Sequence, residues 1–393
     1  MLPPLAHRTS QVRGSAIRDL LTLTARDDVI SLAGGLPAPE LMPHRRIRDA
    51  ASRAFDAAGV LQYSETSGVR RLRAVIAERE TRRTGSPVDV ASVVVTHGSQ
   101  QALSLLGTVL IDPGDVVIVD APAYTGALQV FAAAGAEIRA VPVDANGTDI
   151  DALEALLGTG VRPRIVHTVS NFHNPRGVTL SAGRRQGLAD LADRYGFWMI
   201  EDDPYGEIWF DAPPPEPIHS DRVVRLGSAS KILAPTLRVG WMTAPYPVAA
   251  AVELFKQGAD LCGSSLTQTV AADLLDDTEW LDEHLGGLRR AYRSRCRALT
   301  GALTSAFGSS VEFDDPTGGM FVWAAFTDGT DTSAMLSTAT DHGVAYVPGA
   351  AFGSEPAFGH AARLCFATVD ESVAVEAVDR LYRAHQADVS ASR

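Results

Sequence analysis

Between residues 91 and 243 the chain repeats one pattern: a short, uninterrupted apolar run, most often followed by a stretch with helical spacing. The runs are Ser92–Thr96, Val116–Val119, Glu137–Val143, Ile165–Val169, Trp198–Glu201, Val223–Leu226 and Val239–Thr243. Helical stretches Ser99–Leu110, Tyr124–Ala134, Ile150–Leu157 and Ser181–Tyr195 separate the earlier ones. A strand that is apolar on both sides needs cover on both faces. The pattern therefore predicts an α/β doubly wound architecture with a mostly parallel seven-stranded sheet. Sites in such sheets gather beyond the C-terminal ends of the strands.

The character changes after about residue 249. Long helices are expected over Val252–Ala271 and Leu281–Leu303, then short strands at Val311–Phe313, Met320–Trp323 and Leu364–Ala367. This reads as a smaller α+β domain. The division expected is an N-terminal arm at 1–30 (with a helix over Ala16–Leu23), a pocket-loop segment at 31–55, a large domain at 56–260 and a small domain at 261–393. The loop Ser31-Leu-Ala-Gly-Gly-Leu-Pro37 has the Gly and Pro of a segment crossing something closely.

Composition narrows the function. A net charge of −12 argues against nucleic acid, whose phosphates demand a basic surface. No run of apolar residues is long enough to span a membrane, and Met1–Arg13 lacks the apolar core of a signal peptide, so a cytoplasmic protein is expected. Cys262, Cys296 and Cys365 are too few and too scattered for a disulfide framework, and no metal site is expected.

Lysine occurs only twice, at Lys231 and Lys256. Chemistry that needs a primary amine thus has two candidates. Lys231 follows an apolar strand within Ser228-Ala-Ser-Lys231, where enclosure would lower its pKa and make it a nucleophile toward carbonyls. Lys256, in Leu254-Phe-Lys-Gln257, reads as a solvated helix lysine. Glu201-Asp-Asp-Pro-Tyr205 sets carboxylates at a strand's C-terminal end, to hold a cationic ring nitrogen or simply to form a solvated acidic turn. Gly98-Ser-Gln-Gln101 joins a strand to a helix, where Ser99 either faces an anion with the first helix amides or is a plain N-cap. It is not a P-loop. Arg238 could pair with a phosphate, and Arg363, at the start of a late strand, could clamp a carboxylate bidentately. In Asn171-Phe-His-Asn-Pro-Arg-Gly177, Asn174 could donate to a phenolate.

These segments, with Leu61-Gln-Tyr-Ser64, Pro122-Ala-Tyr124, Leu237-Arg-Val-Gly240 and Gly319-Met-Phe321, match jointly in order and spacing. The chain resembles the fold-type I pyridoxal-phosphate enzymes, in particular the aminotransferase subgroup of kynurenine/2-aminoadipate aminotransferase and bacterial 2-aminoadipate aminotransferases. The resemblance runs from about Ser15 to Ala384. It implies that Lys231 bonds covalently to pyridoxal 5'-phosphate, that Asp202 partners the pyridinium nitrogen, and that Tyr205 and Asn174 hold the phenolic oxygen. Tyr124 would stack on the ring. Ser99, Gln100, Ser228, Ser230 and Arg238 would form the phosphate cup, and Tyr63 would reach the phosphate of a partner subunit in a homodimer. Arg363 would clamp the substrate α-carboxylate, with Gly35 in the loop lining the pocket.

The activity implied is transfer of the amino group of an L-α-amino acid to a 2-oxo acid such as 2-oxoglutarate, by a ping-pong cycle. Another reaction on the same cofactor (lyase, decarboxylase, racemase or oxygen-dependent oxidase) would use the same lysine, aspartate and arginine. A transcription regulator with an aminotransferase-like domain would need a winged-helix domain, and only about 30 residues precede the Ser31 loop. Side-chain specificity is not legible; Leu36, Tyr63, His173, Arg176 and Phe321 are the pocket candidates. Arg176 stands where the subgroup has threonine or glycine. It is either a surface variant or a second cation for a dicarboxylate substrate.

Overall fold

The computed structural model describes residues 28–353 and 356–391, with a few isolated positions before residue 28. The expected helix at Ala16–Leu23 lies outside the described residues. The strands in chain order are β1 (Ile30–Ser31), β2 (Val93–Thr96), β3 (Val116–Ala121), β4 (Glu137–Asp144), β5 (Gly147–Thr148), β6 (Ile165–Val169), β7 (Trp198–Asp202), β8 (Val223–Ser228), β9 (Gly240–Thr243), β10 (Val311–Glu312), β11 (Phe321–Phe326), β12 (Val344–Ala345), β13 (Val347–Pro348) and β14 (Ala361–Cys365). The helices are α1 (His44–Phe55), α2 (Arg70–Thr84), α3 (Ser99–Leu110), α4 (Thr125–Ala133), α5 (Ile150–Gly158), α6 (Ala182–Tyr195), α7 (Tyr246–Ala259), α8 (Ser265–Asp276), α9 (Thr278–Phe307), α10 (Thr332–Asp341) and α11 (Glu371–Ala391).

The large sheet has the order β2-β9-β8-β7-β6-β3-β4-β5. Neighbours from β8 through β4 are parallel; β9 runs antiparallel between β2 and β8. The sheet has eight strands rather than the seven expected. The addition, β5, is a two-residue hairpin return on β4, too short to carry a period-2 signal. Both faces are covered, as apolar strands require. Val117, Val119, Ile165, Ile200 and Leu226 pack under α3, α4 and α7, while Ile118, Val166 and Met199 pack under α5 and α6.

A second sheet, β10-β11-β14-β13, is wholly antiparallel. Its core merges with apolar residues of α9 and α11. The chain's early segment joins it: β1 pairs with β12, Leu32 N–H donates to Ala345 O (2.8 Å), and Cys365 N–H donates to Leu32 O (2.8 Å). This brings residues 32–36 against β14, which carries Arg363.

The expected helix Val252–Ala271 is two helices. α7 ends at Asp260, Leu261 takes a left-handed φ of 62°, and the Ser264 side chain accepts from Thr267 N–H to start α8. α9 is longer than expected because the Asp277 side chain caps it early, accepting from Trp280 N–H, and it runs on to Phe307. Lys256 is not solvated: it is fully buried, and its Nζ donates to Asp260 Oδ1 at 2.7 Å, so the amine is neutralised one turn away.

Under β7 lies a buried charge cluster. Arg225 reaches Glu80 (2.9 Å), Glu201 (3.1 Å) and Asp203 (2.9 Å); Arg185 reaches Glu201 (2.9 Å), and Arg83 reaches Asp203. Burial alone would raise the Asp203 carboxyl, but Arg83 and Arg225 outweigh it and hold it at about 2. Its folded-state value lies below that of an unfolded aspartate. It therefore contributes stability that is complete above roughly pH 4 and lost as pH falls toward 2. Arg225→Met should strand carboxylates in the interior, at a cost of roughly 3 kcal/mol or more. The thermal midpoint should drop by several degrees at neutral pH, and the gap should narrow in acid; equal midpoints at pH 7 would contradict this account.

Candidate active site

The C-terminal ends of β3, β6, β7 and β8 open on a cavity of about 480 Å³. Its lining includes Gly35, Ser99, Gln100, Tyr124, Asn174, Asp202, Tyr205, Ser228, Ser230, Lys231, Arg238 and Arg363. Every residue predicted for the site is thus brought together but one. Tyr63 is 77% exposed and lies outside the cavity.

Strand parity selects Asp202 from its acidic run. Side chains alternate across a sheet, so Glu201 and Asp203 face the arginine cluster while Asp202 faces the cavity. Asp202 is buried, and its Oδ1 has no hydrogen-bond partner. Its Oδ2 lies 3.6 Å from His167 Nε2, a residue of the neighbouring β6 that the sequence reading passed over as part of an apolar run.

Lys231 follows β8, and its Nζ donates to Gly35 O at 2.7 Å. Burial lowers its pKa to about 8; Cys365 opposes the shift, and Arg363 and Arg238 add to it. The neutral amine is then the minor form at neutrality and the major one above about pH 8. Tyr124 OH donates to Gln100 Oε1 (3.0 Å), and Gln100 Nε2 donates to Gly126 O (3.1 Å), which fixes the phenol over the cavity. Burial pushes Tyr124 up to about 12 and Tyr205 higher still, so both phenols stay protonated.

Ser99 is not an N-cap. Gly98 holds that position with φ 79°, and no side chain caps the helix. A Cβ on Gly98 would come within 2.9 Å of Arg238 Nη2, and one on Gly240 within 2.6 Å of Gly98 Cα. Bare backbone is what allows β9 and the turn before α3 to meet. Arg238, itself in the left-handed region at φ 51°, donates to His97 O and borders the same space. Main-chain donors at the start of α3, Ser228, Ser230 and Arg238 make one end of the cavity an anion cradle.

Arg363 lines the same cavity. It is buried, donating to Asn174 Oδ1 (2.9 Å) and Ala33 O (2.7 Å), with its Nε unpaired. Its guanidinium lies 4.4 Å from the Phe321 ring and 5.1 Å from that of Phe352. Burial holds its pKa below the usual arginine value. Phe352, eleven residues before Arg363, sits in a stretch with no periodic signal that could connect the two.

Of the pocket candidates, Leu36 and Phe321 line the cavity. His173 is buried behind it. Arg176 turns away: Nε donates to Asp314 Oδ2 (2.8 Å), Nη1 donates to Val143 O, and the side chain borders a different cavity with Phe313 and Trp323. The second-cation reading of Arg176 is therefore set aside. The arginine is already neutralised by Asp314.

Residues 27–381 match the family model for aminotransferase class I and II. The chain is 40% identical over 380 residues to aromatic-amino-acid aminotransferase 1 of Thermococcus litoralis, covering 94% of this chain and 91% of that protein. Kynurenine aminotransferase of Pyrococcus horikoshii, solved with PMP, superposes with a TM-score of 0.93 at 37% identity, covering 98% of this chain and 97% of that one. The α-aminoadipate aminotransferase of Thermus thermophilus, solved with N-(5'-phosphopyridoxyl)-L-leucine, superposes with a TM-score of 0.90 at 35% identity, covering 98% of each chain. A match of this extent leaves one assignment: the chain belongs to the class I and II aminotransferases, fold-type I enzymes that move an amino group with pyridoxal 5'-phosphate.

Proposed function

We propose that this enzyme transfers the amino group of an L-α-amino acid with an apolar or aromatic side chain to a 2-oxo acid such as 2-oxoglutarate, in a ping-pong cycle within a cytoplasmic homodimer. The observation that carries this reading is the unpartnered Asp202 Oδ1, buried in a cavity that it shares with an enclosed lysine, the donors at the start of α3, Arg238 and Arg363. A buried carboxylate oxygen without a donor is costly. A cationic ring N–H satisfies it, so the residues fit the cofactor.

When bound, pyridoxal phosphate supplies the electron sink for a carbanion at the substrate's Cα. Asp202 would keep the proton on the ring nitrogen. Ser99, Gln100, Ser228, Ser230 and Arg238 would hold the phosphate, Tyr124 the ring, and Asn174 and Tyr205 the phenolic oxygen. Lys231 would anchor the cofactor, and its amine, when free, would take the Cα proton and return it as general base and acid. Arg363 binds the α-carboxylate and so directs the Cα–H bond toward Lys231, which is catalysis by positioning. Gly35 leaves room beside Phe321, where an added Cβ would lie 3.2 Å from the ring.

Among the described lining residues the cations are Lys231, Arg238 and Arg363. Each is engaged by cofactor or α-carboxylate, while Leu36 and Phe321 offer apolar surface to a side chain. That supports the apolar or aromatic donor. Tyr63 supports the homodimer: an exposed tyrosine beside exposed Leu61 suits a phosphate contact across a subunit interface.

Half-reactions test the function. An aromatic L-amino acid alone should convert the cofactor to its amine form, and a 2-oxo acid should reverse this; Lys231→Ala should lose borohydride-stable cofactor labelling of the peptide around residue 231. Release of ammonia or carbon dioxide without conversion would favour a different reaction.

The lowered pKa of Lys231 gives a second test, because only the neutral amine attacks. Cofactor capture by the apoprotein should accelerate with pH through an inflection at about 8. An inflection near that of an ordinary lysine, roughly 10.4, would contradict it.

Sedimentation should give twice the chain mass, and Tyr63→Phe should weaken cofactor retention without changing that mass. A monomer with full activity would remove the role given to Tyr63.

A further inference from the structure

Asp120 and His173 form a buried pair that the reaction as described does not use. Their side chains are each 3% exposed, and His173 Nε2 lies 3.2 Å from Asp120 Oδ2. The approach is off-axis, so the contact is electrostatic rather than a well-formed hydrogen bond. The proton's place on the ring follows from the other nitrogen. Arg176 N–H donates to His173 Nδ1 (3.3 Å), so Nδ1 is the acceptor and Nε2 carries the hydrogen that faces Asp120.

Asp120 is held from two further sides. Thr148 Oγ1 donates to its Oδ1 (2.8 Å), and Val169 N–H donates to its Oδ2 (3.4 Å). Its place in the chain gives the pair leverage. Asp120 lies near the end of β3, four residues before Tyr124; His173 lies in the loop after β6, one residue before Asn174. β3 and β6 are adjacent, and their two loops flank the cavity. The pair therefore bridges the loop that carries the aromatic ring to the loop whose amide holds Arg363.

We propose that Asp120 and His173 are positioning residues for substrate carboxylate binding: by fixing the loop at Asn174 they set the Asn174–Arg363 contact and keep the arginine's remaining edge turned to the cavity. The proposal rests on the reading of Arg363 as the α-carboxylate clamp. Loss of the pair lets the Asn174 amide swing. Arg363 then follows its partner and the Asn174 contact to the phenolic oxygen loosens, while Lys231, Asp202 and Arg238, on β7 and beyond β8, stay in place and retain the cofactor.

The test uses the holoenzyme and a ligand that cannot react, hydrocinnamate, titrated through the cofactor's absorbance. His173→Leu should raise the hydrocinnamate Kd and the KM for amino acid and oxo acid together by about tenfold, with kcat within about threefold of the parent and cofactor retained through dialysis. His173→Gln, whose amide can still point an N–H at Asp120, should recover most of the loss. Asp120→Asn should repeat the leucine variant's effect, and it carries the test if His173→Leu melts well below the parent. Arg363→Lys separates the two levels of the argument. If it leaves hydrocinnamate binding unchanged, the clamp reading fails. If it weakens binding while folded Asp120→Asn and His173→Leu do not, the positioning proposal is overturned. Parental Kd and KM in the folded variants, or loss of cofactor without a change in Kd, would also overturn it.

Discussion

The alternation of side chains along β7 is the constraint on which this site turns. Three successive carboxylates emerge at its end, and a strand sends them to opposite faces. Glu201 and Asp203 are locked by Arg185, Arg225 and Arg83, with Glu80 completing the cluster. A register slip of one residue would bury Asp202 among arginines and turn two anions into the cavity. The cluster thus acts as a rotational lock on the strand. It also leaves Asp202 for a cationic partner in the cavity: the arginines of the cluster are engaged on the far face.

The cavity is assembled from both ends of the chain. The loop at residues 33–35 passes over it and places Ala33 O on Arg363 and Gly35 O on Lys231. The same loop is fixed by hydrogen bonds to the small sheet at Ala345 and Cys365. The two groups proposed to meet the substrate are therefore oriented by one short segment, whose glycine leaves space beside Phe321. Main-chain carbonyls suit this role, because they can hold a cation in place and yield to a stronger partner.

Much of this was legible in the sequence. The strand repeat identified the large sheet and the edge where the site is expected, and the scarcity of lysine left two amine candidates, of which Lys231 follows a strand of that sheet. What escaped the sequence has a physical cause in each case. Lys256 sits at helical spacing like any surface lysine, and only Asp260, brought round by the end of α7, reveals that it is buried and neutralised. Arg176 follows an Asn-Pro turn that borders the site, but turn direction, which sequence does not encode locally, sends it to Asp314. The break near residue 260 depends on a left-handed leucine, a conformation no pattern of apolar residues announces. His167 was hidden inside an apolar run. Tyr63 was singled out by resemblance, and its exposed position lies outside what one chain's cavity contains.

The hydrogen bond from Arg363 to Ala33 spans 330 positions of sequence. Closing a contact of that span is costly in chain entropy, and it requires the strand that carries Arg363. On the ribosome, a growing polypeptide would present the lysine and the phosphate cradle long before the arginine strand emerged. The lysine and the proposed phosphate cradle are thus complete in the chain before the arginine proposed to read the amino acid, so coenzyme attachment and substrate choice are separated in the order of synthesis.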